Sequence, residues 1–150
     1  MTTTSTDFQQ FMKQRAQIAL AYVNGDAGPL GDIVTHREPA HFFGPNGGHA
    51  DGVAAVGEDY RGGAAHFEPG GDSRVEVLQA QDSGDLAYWV GLQHARVRVK
   101  GKAEPVPMDL RVTEIFRREE GRWRLVHRHA DMLAQRQETP AGGGHRRVDR

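Results

Sequence analysis

The chain has 150 residues, 26% charged and 37% hydrophobic, with a formal net charge of −1. This length predicts one domain with one core, and the balanced charge argues against a nucleic-acid or membrane surface as the main partner. The absence of cysteine excludes disulfides, zinc–thiolate sites and a thiol nucleophile. The polar start lacks the features of a secretion signal, and no apolar run approaches the ~20 residues that span a bilayer. We therefore expect a soluble, cytoplasmic protein.

The first half of the chain predicts helices joined by short loops. Residues 1–7 are polar and are predicted to be disordered. Apolar residues at helical spacing then predict a long helix over 8–24, and a short second helix follows over 26–34. A short strand over 39–43 and a third helix over 52–61 complete this half.

The second half predicts a meander of long strands. Residues at alternating spacing, many of them β-branched or aromatic, predict strands over 73–81, 86–100, 108–118 and 122–132. The end of the chain, 134–150, contains Pro-Ala-Gly-Gly-Gly with no apolar periodicity and is predicted to be disordered. Helices followed by an antiparallel meander predict an α+β fold, with the helices on one face of the sheet.

The loop between the last two strands, Glu119-Glu120-Gly121, decides which residues share a face. A three-residue loop with a bulge at Gly121 is the preferred interpretation, because glycine adopts the positive φ needed there. It places Glu114 and Arg128 on one mostly apolar face. The opposite face then carries Trp123, Leu125, His127 and His129. The alternative two-residue loop shifts the register by one and exchanges the faces of the last strand.

Glu114 and the two histidines each leave a structural and a functional interpretation open. Burying a lone carboxylate is costly, so Glu114 either forms a structural ion pair with Arg128, or faces solvent, or lines a ligand pocket. His127 and His129 lie two residues apart on one strand and could be half of a metal site, or could pack at a dimer interface. No third ligand follows at a recognisable spacing, so the sequence predicts no metal site.

Two segments carry a resemblance to a known family: DLAYWVG at 85–91 and RVTEIFRREEGRWRLVHRH at 111–129. With the order of elements, they resemble the nuclear transport factor 2-like superfamily, and most closely its SnoaL-like, or ketosteroid isomerase-like, branch. The resemblance implies one domain over 8–133, in which a cone-shaped, strongly bent antiparallel sheet wraps around the N-terminal helices and an internal pocket. It also implies a homodimer formed through the outer sheet face.

The resemblance and the predicted faces give the candidate site residues. Glu114 is the candidate acid, base or oxyanion donor, and Arg128 sets its charge. The predicted pocket residues are Tyr22, Phe43, Tyr60, Tyr88, Val90, Val112 and Val126. The general base and catalytic tyrosine of ketosteroid isomerases correspond to Phe43 and Ile18, so steroid isomerase activity is not expected.

The leading functional interpretation is a small-molecule pocket protein that needs no cofactor and takes an apolar or aromatic molecule. The candidate activities are those of an isomerase, cyclase, dehydratase or hydrolase. The alternative is a ligand-binding or oligomerisation module without turnover. The association domain of calcium/calmodulin-dependent kinase is also similar, but the arginines of its pocket correspond here to Val90, Glu114 and Ala130. Its anion-binding pocket is therefore not expected in this chain.

Overall fold

A computed structural model describes residues 4–134, and the predicted tail lies outside them from residue 135 onward. The helices are α1 (Thr6–Val23), α2 (Gly28–Ile33) and α3 (Val53–Ala64). The strands are β1 (His41–Phe43), β2 (His49–Asp51), β3 (Phe67–Ser83), β4 (Leu86–Val99), β5 (Val106–Glu119) and β6 (Arg122–Met132). This order is the predicted α+β arrangement. Within residues 4–134, none of the helices has the length and hydrophobicity required to cross a bilayer.

Helix α1 begins two residues earlier than predicted because Ser5 caps it. The Ser5 hydroxyl accepts a hydrogen bond from the backbone N–H of Phe8 at 3.1 Å. The residues before the helix bind β3: the Thr4 hydroxyl donates to the Ala80 carbonyl at 2.9 Å, and the Ser5 N–H donates to Asp82 at 2.8 Å. Residues 4–7, which lie in the segment predicted to be disordered, are thus attached to the sheet.

The six strands form one sheet in the order β2-β1-β6-β5-β4-β3. Neighbouring strands are antiparallel except β1 and β6, which pair in parallel. The expectation of a wholly antiparallel sheet is therefore wrong, and the sheet is mixed. Short hairpin loops enforce antiparallel pairing, but a long stretch of chain separates β1 from β6 and leaves their relative direction free.

The hairpin between β5 and β6 has the two-residue loop, so the preferred three-residue loop is wrong. Glu119 pairs with Arg122, and the loop between them consists of Glu120 at φ 52° and Gly121 at φ 79°. Positive φ at both loop positions is the type I′ geometry, whose twist matches that of the flanking strands.

The bulge lies inside β6 instead of in the loop. Phe116 pairs with Leu125 and Ile115 pairs with His127, which leaves Val126 without a partner on β5. The bulge turns residues on both of its sides toward the helices. Trp123 and Leu125 before it are buried, as are Arg128 and Ala130 after it. The predicted place of Trp123 and Leu125 on the outer face is wrong, because the bulge follows these residues at Val126 instead of preceding them at Gly121.

The main core lies between α1 and the inner face of β5 and β6. The Phe8 ring lies 6.0 Å from that of Phe11, 5.8 Å from that of Phe116 and 5.5 Å from that of Trp123, centroid to centroid. Most of these ring pairs meet edge to face, the arrangement that aromatic quadrupoles favour. This aromatic packing fixes α1 across the sheet and so fixes the side chains that the helix presents to the sheet further along.

Candidate functional site

A buried ion cluster lies between α1 and the sheet, with Glu114 of β5 at its centre. Glu114 is 0% exposed, and its carboxylate accepts four hydrogen bonds. Oε1 accepts from Arg15 Nε at 2.9 Å and from Trp89 Nε1 at 2.7 Å. Oε2 accepts from Arg15 Nη2 and from Arg128 Nη1, each at 2.7 Å. We call these three charged residues the Arg15–Glu114–Arg128 cluster.

The sheet register and the helix stripe bring the cluster together. Glu114 pairs with Trp89 of β4 on one side and with Arg128 of β6 on the other, so the three side chains point inward side by side. Arg15 comes from the buried face of α1 and is only 4% exposed. Gln93, two inward positions after Trp89 on β4, accepts a hydrogen bond from Arg128 Nη2 at 3.1 Å. The guanidinium of Arg128 is therefore held between two strands.

The two arginines keep Glu114 ionised. Burial pushes the pKa of Glu114 upward, but the charges of Arg15 and Arg128 outweigh it, with the hydrogen bonds from Arg15 and Trp89, and lower the pKa to about 2. At neutral pH the carboxylate carries no proton to donate. Each of its two oxygens already accepts two hydrogen bonds from the protein. The geometry supports the structural ion pair among the interpretations that the sequence left open, and it gives no support to Glu114 as an acid or an oxyanion donor.

A cavity of about 550 Å³ adjoins the cluster, between α1, α3 and the inner face of the sheet. Arg15, Arg128 and Gln93 form part of its wall, together with the phenol groups of Tyr22 and Tyr60. The rest of the wall is mainly apolar and includes Val23, Leu30, Phe42, Phe67, Met108 and Leu110. A mostly apolar wall with a few converging polar groups is the usual composition of a small-molecule site.

The structure brings Tyr22 and Tyr60 together at this cavity, with ring centroids 6.4 Å apart. Burial raises the pKa of Tyr22 to about 12 and also raises the pKa of Tyr60, so both phenols stay protonated and can donate hydrogen bonds. Val112 also faces inward, but it is buried in the core and is not part of the cavity wall.

Four predicted pocket residues lie away from this cavity: Phe43, Tyr88, Val90 and Val126. Phe43 points outward because its neighbour Phe42 occupies the inward position of β1. Tyr88 and Val90 alternate with the buried Trp89 and so face the opposite side of β4. Val126 is the bulged residue of β6. The sequence interpretation chose the wrong face of β4 and the wrong member of the Phe42-Phe43 pair.

Arg15 is the main site residue that sequence reasoning missed. It lies four residues after Phe11 and four before Ala19, in the middle of the apolar stripe that predicted α1. A charged residue at a core position of a helix needs a buried partner. That position was a signal that Glu114 could have a second cation, coming from the helix.

The histidines lie on the outer face of the sheet. His127 Nδ1 is 3.4 Å from His41 Nδ1, and the Phe43 ring packs against both His127 and His129. Burial lowers the pKa of His127, and the neighbouring His41 and His129 lower it further. In the part of the chain from residue 4 to 134, no group of three or more potential ligands is arranged to hold a metal ion.

The chain belongs to the SnoaL-like domain family, whose sequence pattern it matches over residues 12–135. This confirms the resemblance that the strand segments indicated. A comparison with curated proteins finds no match. The domain limits of 8 and 133 stay a prediction.

Solved structures share the fold at low sequence identity. A putative dehydratase of the NTF2-like family from Streptomyces avermitilis is 19% identical, with a TM-score of 0.71 over 87% of this chain and 98% of that one. An NTF2-like superfamily protein from Salmonella enterica serovar Typhimurium is 16% identical, with a TM-score of 0.72 over 93% and 98%. The association domain of CaMKII from C. elegans is 15% identical, with a TM-score of 0.61 over 83% and 95%. At these identities the comparisons establish an NTF2-like fold with N-terminal helices and a mixed six-stranded sheet.

Proposed function

We propose that this SnoaL-like chain binds a small apolar or aromatic molecule in the cavity between its helices and the sheet. The observation that carries the proposal is the mainly apolar wall of a cavity of about 550 Å³, which is within the usual size range of ligand sites. The Arg15–Glu114–Arg128 cluster supports it by fixing one end of the cavity. Its hydrogen bonds link α1 to three adjacent strands, so this part of the wall is formed before a ligand arrives.

A second candidate function is turnover in the same cavity, as a cofactor-independent isomerase, cyclase, dehydratase or hydrolase. Two observations favour it: the Streptomyces neighbour is named a putative dehydratase, and protonated Tyr22 and Tyr60 face the cavity. In such a reaction, hydrogen bonds from the phenols and the charge of the arginines would stabilise developing negative charge on the substrate. Glu114 would serve only as their counter-ion.

Binding of a neutral aromatic compound tests the first proposal. Wild-type protein should bind 2-naphthamide in a calorimetric titration. Ala19→Leu, which adds volume at the cavity wall on α1, should weaken this binding about 10-fold or more because the added side chain occupies the space of the ring.

The matched control for that titration is Ala16→Leu, the same substitution on the same helix but off the cavity wall. It should bind 2-naphthamide like the wild type. Absence of binding of any naphthalene derivative, neutral or charged, to the wild type, or equal binding of 2-naphthamide to both variants, would contradict a ligand site in this cavity.

We also propose that the outer sheet face forms a homodimer. Leu86 is 57% exposed and Ile115 38% exposed, and Tyr88 and Val90 lie beside them on the same face. Contiguous exposed apolar residues mark interaction surfaces. Two structural neighbours named as association domains of the calcium/calmodulin-dependent kinase, one of them putative, share this fold and support the proposal.

The dimer proposal predicts that Ile115→Lys gives monomers in sedimentation velocity, because the charge would be buried between two sheets. Leu20→Lys is the control, since Leu20 is 39% exposed on α1, outside the sheet. That variant should remain dimeric. A wild type that sediments as a monomer, or a dimer that survives Ile115→Lys, would rule out this face. Trp123 and Leu125 are unsuitable for the test because they belong to the core.

A further inference from the structure

Two buried hydrogen-bond donors at the cavity have no partner among residues 4–134. They are Arg15 Nη1 and the hydroxyl of Tyr60. Both side chains belong to the cavity wall, and both are almost completely removed from solvent. Leaving a buried polar group unpaired is unfavourable, and more so for a charged group. Two residues of the cavity wall therefore each keep a donor without an acceptor, which a bound molecule can supply.

The charges at the cavity do not balance. Arg15 and Arg128 contribute two positive charges, and Glu114 contributes one negative charge, so the buried cluster keeps one positive charge in excess. Glu58 and Asp59 also border the cavity, but they are exposed on α3, where solvent screens them. An uncompensated charge in a desolvated site is unfavourable unless an opposite charge joins it.

We propose that the molecule bound in this cavity carries a carboxylate group, which accepts hydrogen bonds from Arg15 Nη1 and from the Tyr60 hydroxyl. The inference rests on the proposed function and adds the chemical class of the ligand. A carboxylate has one negative charge, which matches the excess of one positive charge. Its two oxygens also match the two unpaired donors. The apolar part of the molecule then packs against side chains such as Phe42 and Leu110.

The protonation of Tyr60 and the hydrogen bonds of the two arginines agree with this assignment. Burial raises the pKa of Tyr60, so its hydroxyl is protonated and donates. Nε and Nη2 of Arg15 donate to Glu114, which fixes the orientation of the guanidinium. Nη1 is the nitrogen of this guanidinium that has no acceptor among the described residues. Arg128 donates to Glu114 and Gln93 and contributes mainly its charge. A fixed guanidinium is a common donor for recognising a carboxylate, and Tyr60 on the same cavity wall adds a neutral donor.

Calorimetric titration of 2-naphthoate against 2-naphthamide tests the inference, since the two compounds share a ring system and differ in charge. The wild type should bind 2-naphthoate about 10-fold or more tightly than it binds 2-naphthamide, as expected for hydrogen bonds between charged partners. Tyr60→Phe should weaken binding of 2-naphthoate about 10-fold and affect 2-naphthamide much less. Its thermal unfolding should match that of the wild type, because the deleted hydroxyl has no partner in the protein. Tyr88→Phe, the same change on the outer face, should alter neither affinity.

The outcomes separate this inference from the proposed function. Binding of neither compound would refute both. Equal binding of the two compounds would leave the ligand site standing and overturn the carboxylate assignment. A preference for 2-naphthoate that persists unchanged in Tyr60→Phe would also overturn it, because the anion would then bind elsewhere.

Discussion

Replacing Glu114 by glutamine should lower the free energy of unfolding by about 3–5 kcal/mol, the usual effect of removing one partner from a buried ion pair. The substitution leaves Arg15 and Arg128 buried without a counter-charge. The new amide group would also point N–H donors at the donors of the guanidinium groups. Urea unfolding at neutral pH, with wild type and variant measured side by side, gives this difference. The result also decides whether Glu114 can be studied as a catalytic residue, because a loss of activity in an unfolded variant says nothing about chemistry.

Asp131→Asn is the control for this experiment. Asp131 pairs with Arg111 across the same two strands, with N–O distances of 2.7 and 2.8 Å, but this pair is largely exposed. Its removal should change the stability by about 1 kcal/mol or less. A Glu114→Gln variant as stable as Asp131→Asn would contradict the buried ion cluster.

Acid should remove most of the stabilisation that Glu114 provides. Its pKa lies at about 2 in the folded protein, below its ordinary value of 4.5. A lowered pKa in the folded state means that the contribution is complete above the unfolded value and is lost as the pH falls toward the folded value. A difference of this size corresponds to about 3 kcal/mol.

The stability difference between wild type and Glu114→Gln, followed from neutral pH into acid, isolates this contribution. Other carboxylates with lowered pKa, such as Asp7 and Asp131, titrate in both proteins and cancel in the difference. The difference should be constant down to about pH 5 and shrink below it, in the window set by the two pKa values. A difference that stays constant through the acid range would show that Glu114 is not ionised against the arginines.

The sequence predicted that Glu114 and Arg128 share an inner face, and they do, but for a different reason. The prediction placed a bulge at Gly121. The structure has a two-residue loop, which shifts the register by one, and a bulge at Val126, which shifts it by one more in the same direction and so returns the later residues of β6 to their predicted faces. Glu114 therefore meets Arg128 while Trp123 and Leu125 exchange faces. Loop residues carry a local signal for turn type, but the position of a bulge within a strand depends on packing with the rest of the fold.

The faces of β4 could not be assigned from periodicity alone. The pocket predicted from the sequence includes Tyr88 and Val90, which lie on the same face of β4 as Leu86. The structure turns Ala87, Trp89 and Gln93 inward, where they are buried. A strand that is apolar on both faces does not indicate which side its helices cover. Trp89 Nε1 donates a hydrogen bond to Glu114, and Gln93 accepts one from Arg128, so both polar groups have a partner on the inner face. These partners lie far from β4 in the sequence, so the pattern within β4 does not reveal them.

The excess positive charge at the cavity depends on the ionisation state of Glu114. A pH titration of the Glu114 side-chain carboxyl carbon by ¹³C NMR measures it directly. The carboxylate should stay ionised through the neutral and mildly acidic range, with a midpoint near 2. A midpoint above the ordinary value of 4.5 would contradict the account, because the group would then be a neutral acid instead of the counter-ion of two arginines.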